Sequence, residues 1–458
     1  MKIQSRPLKT PYFIVLSSYF LVLFSSLCSS HAQSPLSDSA CAYVLTCGPG
    51  ADFYTTFGHS AIRIVDPPRG IDQVYNYGTF DFNTPRFYWR FMRGQLDYQL
   101  GRCPFRQFLA EYASEGRSVS QQRLYLDARQ TANLFLLLEQ NYLPEYRHYR
   151  YDFFRDNCAT RVRDMVALAA GKNDTVLGPE WQAEPRSYRR LVDDNLRGSL
   201  QWWRLGIDLL FGLPADHRAT DMERMFLPLQ MRDIYAATLW RGVCGNAYIA
   251  APSQELLPES RQPLSPSFPP VVAFALLFLL VVIMSWKQWW RPWMDRVLMV
   301  LAGLVGLFLV FMWVGTDHYC TQWNLNVLWA NPLLLLLALR LHRSPRWALW
   351  LQQACFLVAA LWVLLCRLSP AILLIILTLA FRILSLLRQK QSSTYNSDHC
   401  GSREQKSPCR KSRAEPSLLE LCRDEDTSAK LSSLALPRCS NVNVLPALQA
   451  LSTLRNKI

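Results

Sequence analysis

The chain has 458 residues, half of them hydrophobic, with a formal charge of +14 and thirteen cysteines. An apolar share that large at this length points past a single soluble domain to membrane spans. The positive charge gathers beside apolar runs and in the C-terminal tail rather than on one aromatic-interleaved face, which speaks against a nucleic-acid partner, and the lack of any CxxC pair or HExxH motif speaks against a zinc ribbon or a zincin.

At the N-terminus, Lys2, Arg6 and Lys9 precede an apolar run from Tyr12 to Leu27 and the triplet Ser30-His31-Ala32. That is the pattern of a secretory signal peptide over residues 1–32, cleaved after Ala32. Lipidation at Cys28 is the alternative, disfavoured by the bulky Leu27 before it. Residues 33–251 then read as one exported domain of mixed α and β type. Ala42–Thr46 is strand-like. Ser60–Val65 and Gln73–Tyr77 form a hairpin across the turn Asp66-Pro67-Pro68-Arg69-Gly70, which places His59 opposite residues 76–78. Tyr98–Leu100 and Val119–Leu126 are further strands. Ala128–Tyr142 has helical spacing and stops at Pro144, and Cys158, Val162, Met165, Val166 and Ala169 line one face of a helix that stops at Gly171. Leu196–Leu213 is a core helix or an interfacial segment. In this exported part Cys41, Cys47, Cys103, Cys158 and Cys244 are an odd number, so at least one is a free thiol or pairs with Cys320.

The Pro-rich stretch 252–270 reads as a linker to a membrane domain over 271–387. Five apolar runs are expected to span there: Val271–Trp286, Val297–Gly315, Leu325–Leu341, Trp347–Cys366 and Pro370–Leu387. The basic connections at Lys287, Arg291 and Arg296, and at Arg340, Arg343 and Arg346, fall on the cytoplasmic side, which puts the exported domain outside. Residues 388–458 are Ser-, Lys- and Arg-rich without periodicity and read as a disordered cytoplasmic tail.

Chemistry concentrates at Arg155-Asp156-Asn157-Cys158. A thiol at a helix start is activated by unpaired backbone N–H groups and the helix dipole, with Asn157 or Asp156 as N-cap. His59, opening a strand upstream, is the candidate base. The hairpin register leaves either Asn76 or Tyr77 to orient its ring. The rival readings are a small buried cysteine or half of a disulfide, and a structural histidine. A second polar group, Asp317, His318, Asn324 and Asn326, lies near predicted span ends, where such side chains serve either a lipid headgroup or substrate, or a solvated loop.

Four stretches carry a resemblance. Tyr43–Gly50, Phe57-Gly58-His59-Ser60-Ala61-Ile62-Arg63, Tyr75–Phe82 and Tyr151–Arg161 resemble the Lnb-type lipoprotein N-acyltransferases, and the likeness extends through Thr316-Asp317-His318 and Asn324–Trp329 but not into the tail. That family is similar to circularly permuted papain-like proteins of the NlpC/P60 kind, in which the His-bearing strand precedes the Cys-bearing helix. The resemblance implies an α+β papain-like periplasmic domain followed by five transmembrane helices in a bacterial inner membrane. It also implies transfer of an acyl chain from a phospholipid through a Cys158 thioester to the N-terminal amine of a diacylated lipoprotein, with no cofactor and no metal. A cell-envelope cysteine hydrolase, acting on peptidoglycan or lipid esters, and a non-enzymatic membrane-anchored binding or sensor protein are the alternatives.

Overall fold

A computed structural model describes residues 35–404, apart from 172–174, 179–180, 197–199, 241–246 and 261–266. The expected signal peptide, Cys244 and the tail beyond 404 lie outside the described residues. In chain order the elements are β1 (Cys41–Cys47), β2 (His59–Asp66), β3 (Ile71–Thr79), α1 (Phe87–Met92), β4 (Asp97–Pro104), α2 (Phe105–Ser114), β5 (Val119–Arg123), α3 (Ala128–Tyr142), β6 (His148–Arg150) and α4 (Cys158–Ala170). There follow β7 (Thr175–Leu177), α5 (Tyr188–Asn195), α6 (Gln201–Leu210), α7 (Asp221–Arg224), α8 (Pro228–Ala237), β8 (Thr238–Trp240), β9 (Ala247–Tyr248) and β10 (Gln254–Leu257). The last helices are α9 (Pro270–Trp286), α10 (Pro292–Val314), α11 (Leu333–Leu339), α12 (Arg346–Leu365) and α13 (Pro370–Glu404).

The periplasmic part is α+β. Seven antiparallel strands run in the order β10-β5-β1-β2-β3-β4-β6, and a small sheet joins β7, β8 and β9. Alternation along the strands decides which helix covers which face. Val44, Ile62, Ile64, Tyr75, Tyr77 and Leu100 turn to one side, where Leu134 and Leu138 of α3 and Val162 and Val166 of α4 cover them. Leu45, Cys47, Ala61, Val74 and Val119 turn to the other, under Phe108 and Tyr112 of α2. The β2–β3 turn closes through a 3-10 turn at Pro67–Arg69, and Gly70 takes the left-handed conformation at φ 64°. Helix α3 has the expected bounds and opens on a reciprocal cap between Asp127 and Gln130. The stretch expected to be a linker is partly structured: Gln254–Leu257 pairs with β5 at the sheet edge. Its alternate residues take up the open ladder that β5 would otherwise present.

Helix α6 is neither simply core nor simply interfacial. Ile207 and the following Phe211 pack with Phe154 and Tyr188 of the periplasmic part, whereas Leu205, Leu209 and Leu210 join the cluster of the helical part, with Trp202 and Trp203 exposed. It is the joint between the two halves.

In the helical part, α10, α12 and the segment Pro370–Ser392 of α13 are long and apolar enough to cross a membrane; α9, at 17 residues, is shorter. The third expected span is not one helix. Leu325–Leu328 forms a 3-10 turn, Asn331-Pro332 interrupts the chain, and α11 has only 7 residues, about 10 Å at 1.5 Å per residue, against a hydrocarbon core of about 30 Å. Proline removes an N–H and the preceding residue is biased away from helix, so the apolar run cannot continue through this point. Gly303 and Gly306 of α10 admit the broken segment closely: a Cβ on Gly306 would overlap the Ala330 carbonyl, and one on Gly303 would lie 2.8 Å from Leu335 Cγ. Helix α13 continues to Glu404, well past the Leu387 at which its apolar run ends.

Candidate active site

Helix α4 begins where the sequence pattern puts it, and Asn157, not Asp156, caps it. Asn157 Oδ1 accepts from the Thr160 N–H at 2.9 Å, Thr160 Oγ1 accepts from the Asn157 N–H at 2.7 Å, and Asn157 Nδ2 donates to the carbonyls of Phe153 (2.9 Å) and Phe226 (2.8 Å). Asp156 serves Arg161 instead, as a two-point ion pair. The turn before it is pinned by Asp152, whose Oδ1 accepts from the N–H groups of Phe154 and Arg155 and whose backbone exchanges two hydrogen bonds with Asp156. Cys158 is therefore held at the first turn of α4 by a segment with little freedom of its own, and its thiol is free of any disulfide.

His59 opens β2 opposite Cys47 of β1. Gly58 before it has φ 80°, and a Cβ there would come within 2.6 Å of the Cys47 carbonyl oxygen, so only glycine fits this entry. The β2–β3 register pairs Ile62 with Tyr75. Even-numbered residues of β3 then share a face with odd-numbered residues of β2, so Asn76, not Tyr77, shares the face of His59. Asn76 Oδ1 hydrogen-bonds His59 Nε2, whereas Tyr77 turns into the core, where its hydroxyl accepts from Asn141 Nδ2 at 3.2 Å.

Gly78 lies where these pieces meet. It sits at the irregularity of β3 between Tyr77 and Thr79, at φ 90°. A Cβ there would be 3.5 Å from Cys158 Cβ, 3.9 Å from His59 Cε1 and 3.9 Å from Tyr149 Oη. The glycine thus opens a small space bounded by the Cys158 side chain at Cβ, the imidazole and a tyrosine hydroxyl.

The electrostatics of the thiol and imidazole are reciprocal. Burial pushes the Cys158 pKa up, but the charge and hydrogen bond of His59 and the N–H groups of Ser60 and Ala159 outweigh it, leaving the thiol below its ordinary 9.0. Burial pushes His59 down, but the charge and hydrogen bond of Cys158 and the Asn76 contact bring it above its ordinary 6.5. Both shifts favour a thiolate–imidazolium pair. Such a pair can attack an acyl carbonyl and then deliver a proton to the leaving group.

The polar group at the membrane end does not join this constellation through any described hydrogen bond. His318 Nε2 donates to the carbonyls of Phe91 (3.2 Å) and Met92 (3.1 Å), Asp317 N–H donates to Arg93 O at 2.9 Å, and Asp317 Oδ2 accepts from Gln95 Nε2 at 3.0 Å. Asn324 Nδ2 donates to the Leu209 and Leu210 carbonyls, and Asn326 Nδ2 to those of Asp208 and Leu209, at 2.7 to 3.1 Å. These are the unpaired carbonyls at the end of α6. All four side chains fasten the periplasmic part to the helical part. Three residues before Cys158, the Arg155 guanidinium lies 3.3 Å over the Tyr319 ring.

Sequence reasoning missed Gly78, Tyr149 and a buried ion cluster at the joint. In that cluster Arg189 pairs with Asp208 at 3.3 Å and Asp216 at 2.7 Å, Asp208 accepts from the Ser369 N–H at 2.8 Å, and Asp216 accepts from Trp362 Nε1 at 3.3 Å. Arg189 and Asp208 stand 19 residues apart on different helices, so no local spacing marks them. Among the described residues no group of three or more His, Cys, Asp or Glu side chains is placed to hold a metal ion.

Two family models match the chain. The Lnb N-terminal periplasmic domain matches residues 30–194, and the Lnb transmembrane domain matches residues 261–393. No curated protein and no solved structure matches it. The first model covers strands β1 to β6 of the large sheet, His59, Asn76 and Cys158, and the second covers α9 to α13 as far as residue 393, in the order in which the fold presents them. With its periplasmic domain joined to a transmembrane domain, the chain belongs to the Lnb-type family.

Proposed function

We propose that this protein is a lipoprotein N-acyltransferase, in which Cys158 takes an acyl chain from a phospholipid as a thioester and passes it to the N-terminal amine of a diacylglyceryl-cysteine lipoprotein. The observation that carries the reading is the Cys158–His59–Asn76 group, with Cys158 buried at the start of α4, set in a chain of the Lnb-type family. In the first half-reaction the thiolate adds to the ester carbonyl, and the glyceryl oxygen leaves with the proton carried by His59. In the second the lipoprotein amine adds to the thioester carbonyl, His59 takes its proton, and the Cys158 thiolate departs. Asn76 holds the imidazole through Nε2 in both, so Nδ1 is the nitrogen left to face the thiol. The order of a His-bearing strand before a Cys-bearing helix supports a permuted papain-like ancestry for the domain. Its attachment to apolar helices suits substrates that stay in the bilayer, in an inner membrane with the site on the periplasmic side and five passes of the chain, the third of them broken.

The test is mass spectrometry of lipoproteins from cells in which this is the sole N-acyltransferase. Cys158→Ala is expected to leave only diacylated forms. Triacylated lipoproteins persisting in that strain would show the reading to be wrong.

A further inference from the structure

Tyr149 stands on the three-residue edge strand β6, and its hydroxyl is buried with no hydrogen-bond partner among the described residues. A buried hydroxyl left unpaired costs on the order of 1–3 kcal/mol, so the position calls for an explanation. The side chain is only 9 % exposed and is fixed from three directions. The Arg161 guanidinium, itself paired to Asp156, lies 4.0 Å from its ring centroid, and the rings of Tyr77 and Tyr98 pack on it at 6.2 and 6.5 Å. The hydroxyl points into the space at Gly78, bounded on its other sides by Cys158 and His59.

We propose that Tyr149 is a catalytic residue whose O–H donates to the oxyanion formed when Cys158 attacks an acyl carbonyl. The inference rests on the nucleophilic reading of Cys158 but not on the identity of the acyl donor or acceptor. As the C–S bond forms, the carbonyl π pair moves to oxygen, and that oxygen, seated at Gly78, accepts from Tyr149 Oη. Collapse restores the carbonyl and expels the alcohol with the proton from His59. The same oxygen returns to the same donor when the amine attacks the thioester. The N–H groups of Ser60 and Ala159 already address the sulfur, so the ground-state thiolate and the developing oxyanion have separate donors. Burial, and after it the negative charge of Cys158, hold the Tyr149 hydroxyl in its protonated form, as a donor must be. Arg161 over the ring face makes that O–H more polar.

The experiment uses the purified full-length protein in detergent with two reagents at Cys158. Acylation by p-nitrophenyl octanoate passes through an oxyanion, whereas alkylation by iodoacetamide does not. Tyr149→Phe keeps the ring and its packing, and is expected to slow acylation about 100- to 1,000-fold, the effect of removing one oxyanion donor, with alkylation within about twofold of wild type. Acylation of Tyr149→Phe within about threefold of wild type would overturn the proposal. So would a parallel fall in both rates, which would make Tyr149 a support of the ion pair. A wild-type protein that is alkylated but never acylated would remove the nucleophilic reading and this inference with it.

Discussion

Cys47 on β1 and Cys158 on α4 are two buried thiols, and their environments drive them in opposite directions. Burial pushes Cys47 up to about 12, with Arg117 and a hydrogen bond to Tyr112 opposing too weakly. Cys158 has an imidazole and two N–H groups and goes below 9.0. Burial alone therefore does not make a thiol inert; the partner decides. The sign of the pH dependence follows. The thiolate is lost as pH falls through the lowered Cys158 pKa, and the imidazolium is lost as pH rises through the raised His59 pKa, so acylation should be bell-shaped between these limbs. Asn76→Ala removes one of the contacts that raise His59, and is expected to draw the upper limb down and cut the acylation rate roughly 10- to 100-fold, read from a pH–rate profile. A profile and rate like those of wild type would count against Asn76 as the orienting group. At this scale the placement of Cys158 at a helix start and the bounds of α4 were legible, because a cap, an apolar stripe and a terminal glycine all lie within 15 residues. The choice between Asn76 and Tyr77 was not, since it turns on a register that the sequence leaves open by one residue. Tyr149 gave no signal at all: it is one aromatic among several in a run, and its isolation from partners exists only in the folded protein.

Among the elements, α6 depends on charges that no local pattern supplies. Its Asp208 is fully buried, burial and the neighbouring Asp193 push it up to about 6, and Arg189 of α5 compensates it. Breaking such a pair from one side leaves a buried charge unmatched, at a cost of about 3–5 kcal/mol. Arg189→Met is therefore expected to lower the thermal midpoint markedly, whereas Arg186→Met, on the partly exposed pair with Asp194, should change it little. Equal midpoints would show that the cluster contributes no stability. The hairpin β2–β3 and helix α3 were readable from period and caps. The break before α11 was marked by Asn331-Pro332 but hidden by the apolar residues on both sides, which read as one continuous run. Hydropathy registers composition over a window and is blind to a single missing N–H.

For the molecule as a whole, the described contacts tie the two halves at separate places. One is the ion cluster and the amides of Asn324 and Asn326 on α6. The other is the turn after α1, where His318 and Asp317 hold backbone and Gln95, and where Trp89 stacks on Phe311 of α10 with ring centroids 5.9 Å apart. His318→Ala together with Trp89→Ala removes one N–H donor shared between two carbonyls and one ring contact, about 2 kcal/mol of attachment at net values near 1 kcal/mol each. Limited proteolysis should then cut the α1–β4 turn faster, while alkylation of Cys158 stays at its wild-type rate. Unchanged cleavage would mean that the clasp does not hold the turn. The division into an exported and a helical part was evident from composition, but their attachment was not, because its bonds run to backbone carbonyls that every sequence carries.

That double attachment is matched by a contact close in sequence to the thiol. Arg155, three residues before Cys158, rests on Tyr319 in the connection after α10, so the start of α4 is tied to the helical part as well. Under the proposed chemistry an ester must rise to a fixed level to react. The protein would then work as a depth gauge, discriminating among lipids by how far the carbonyl sits below the headgroup plane.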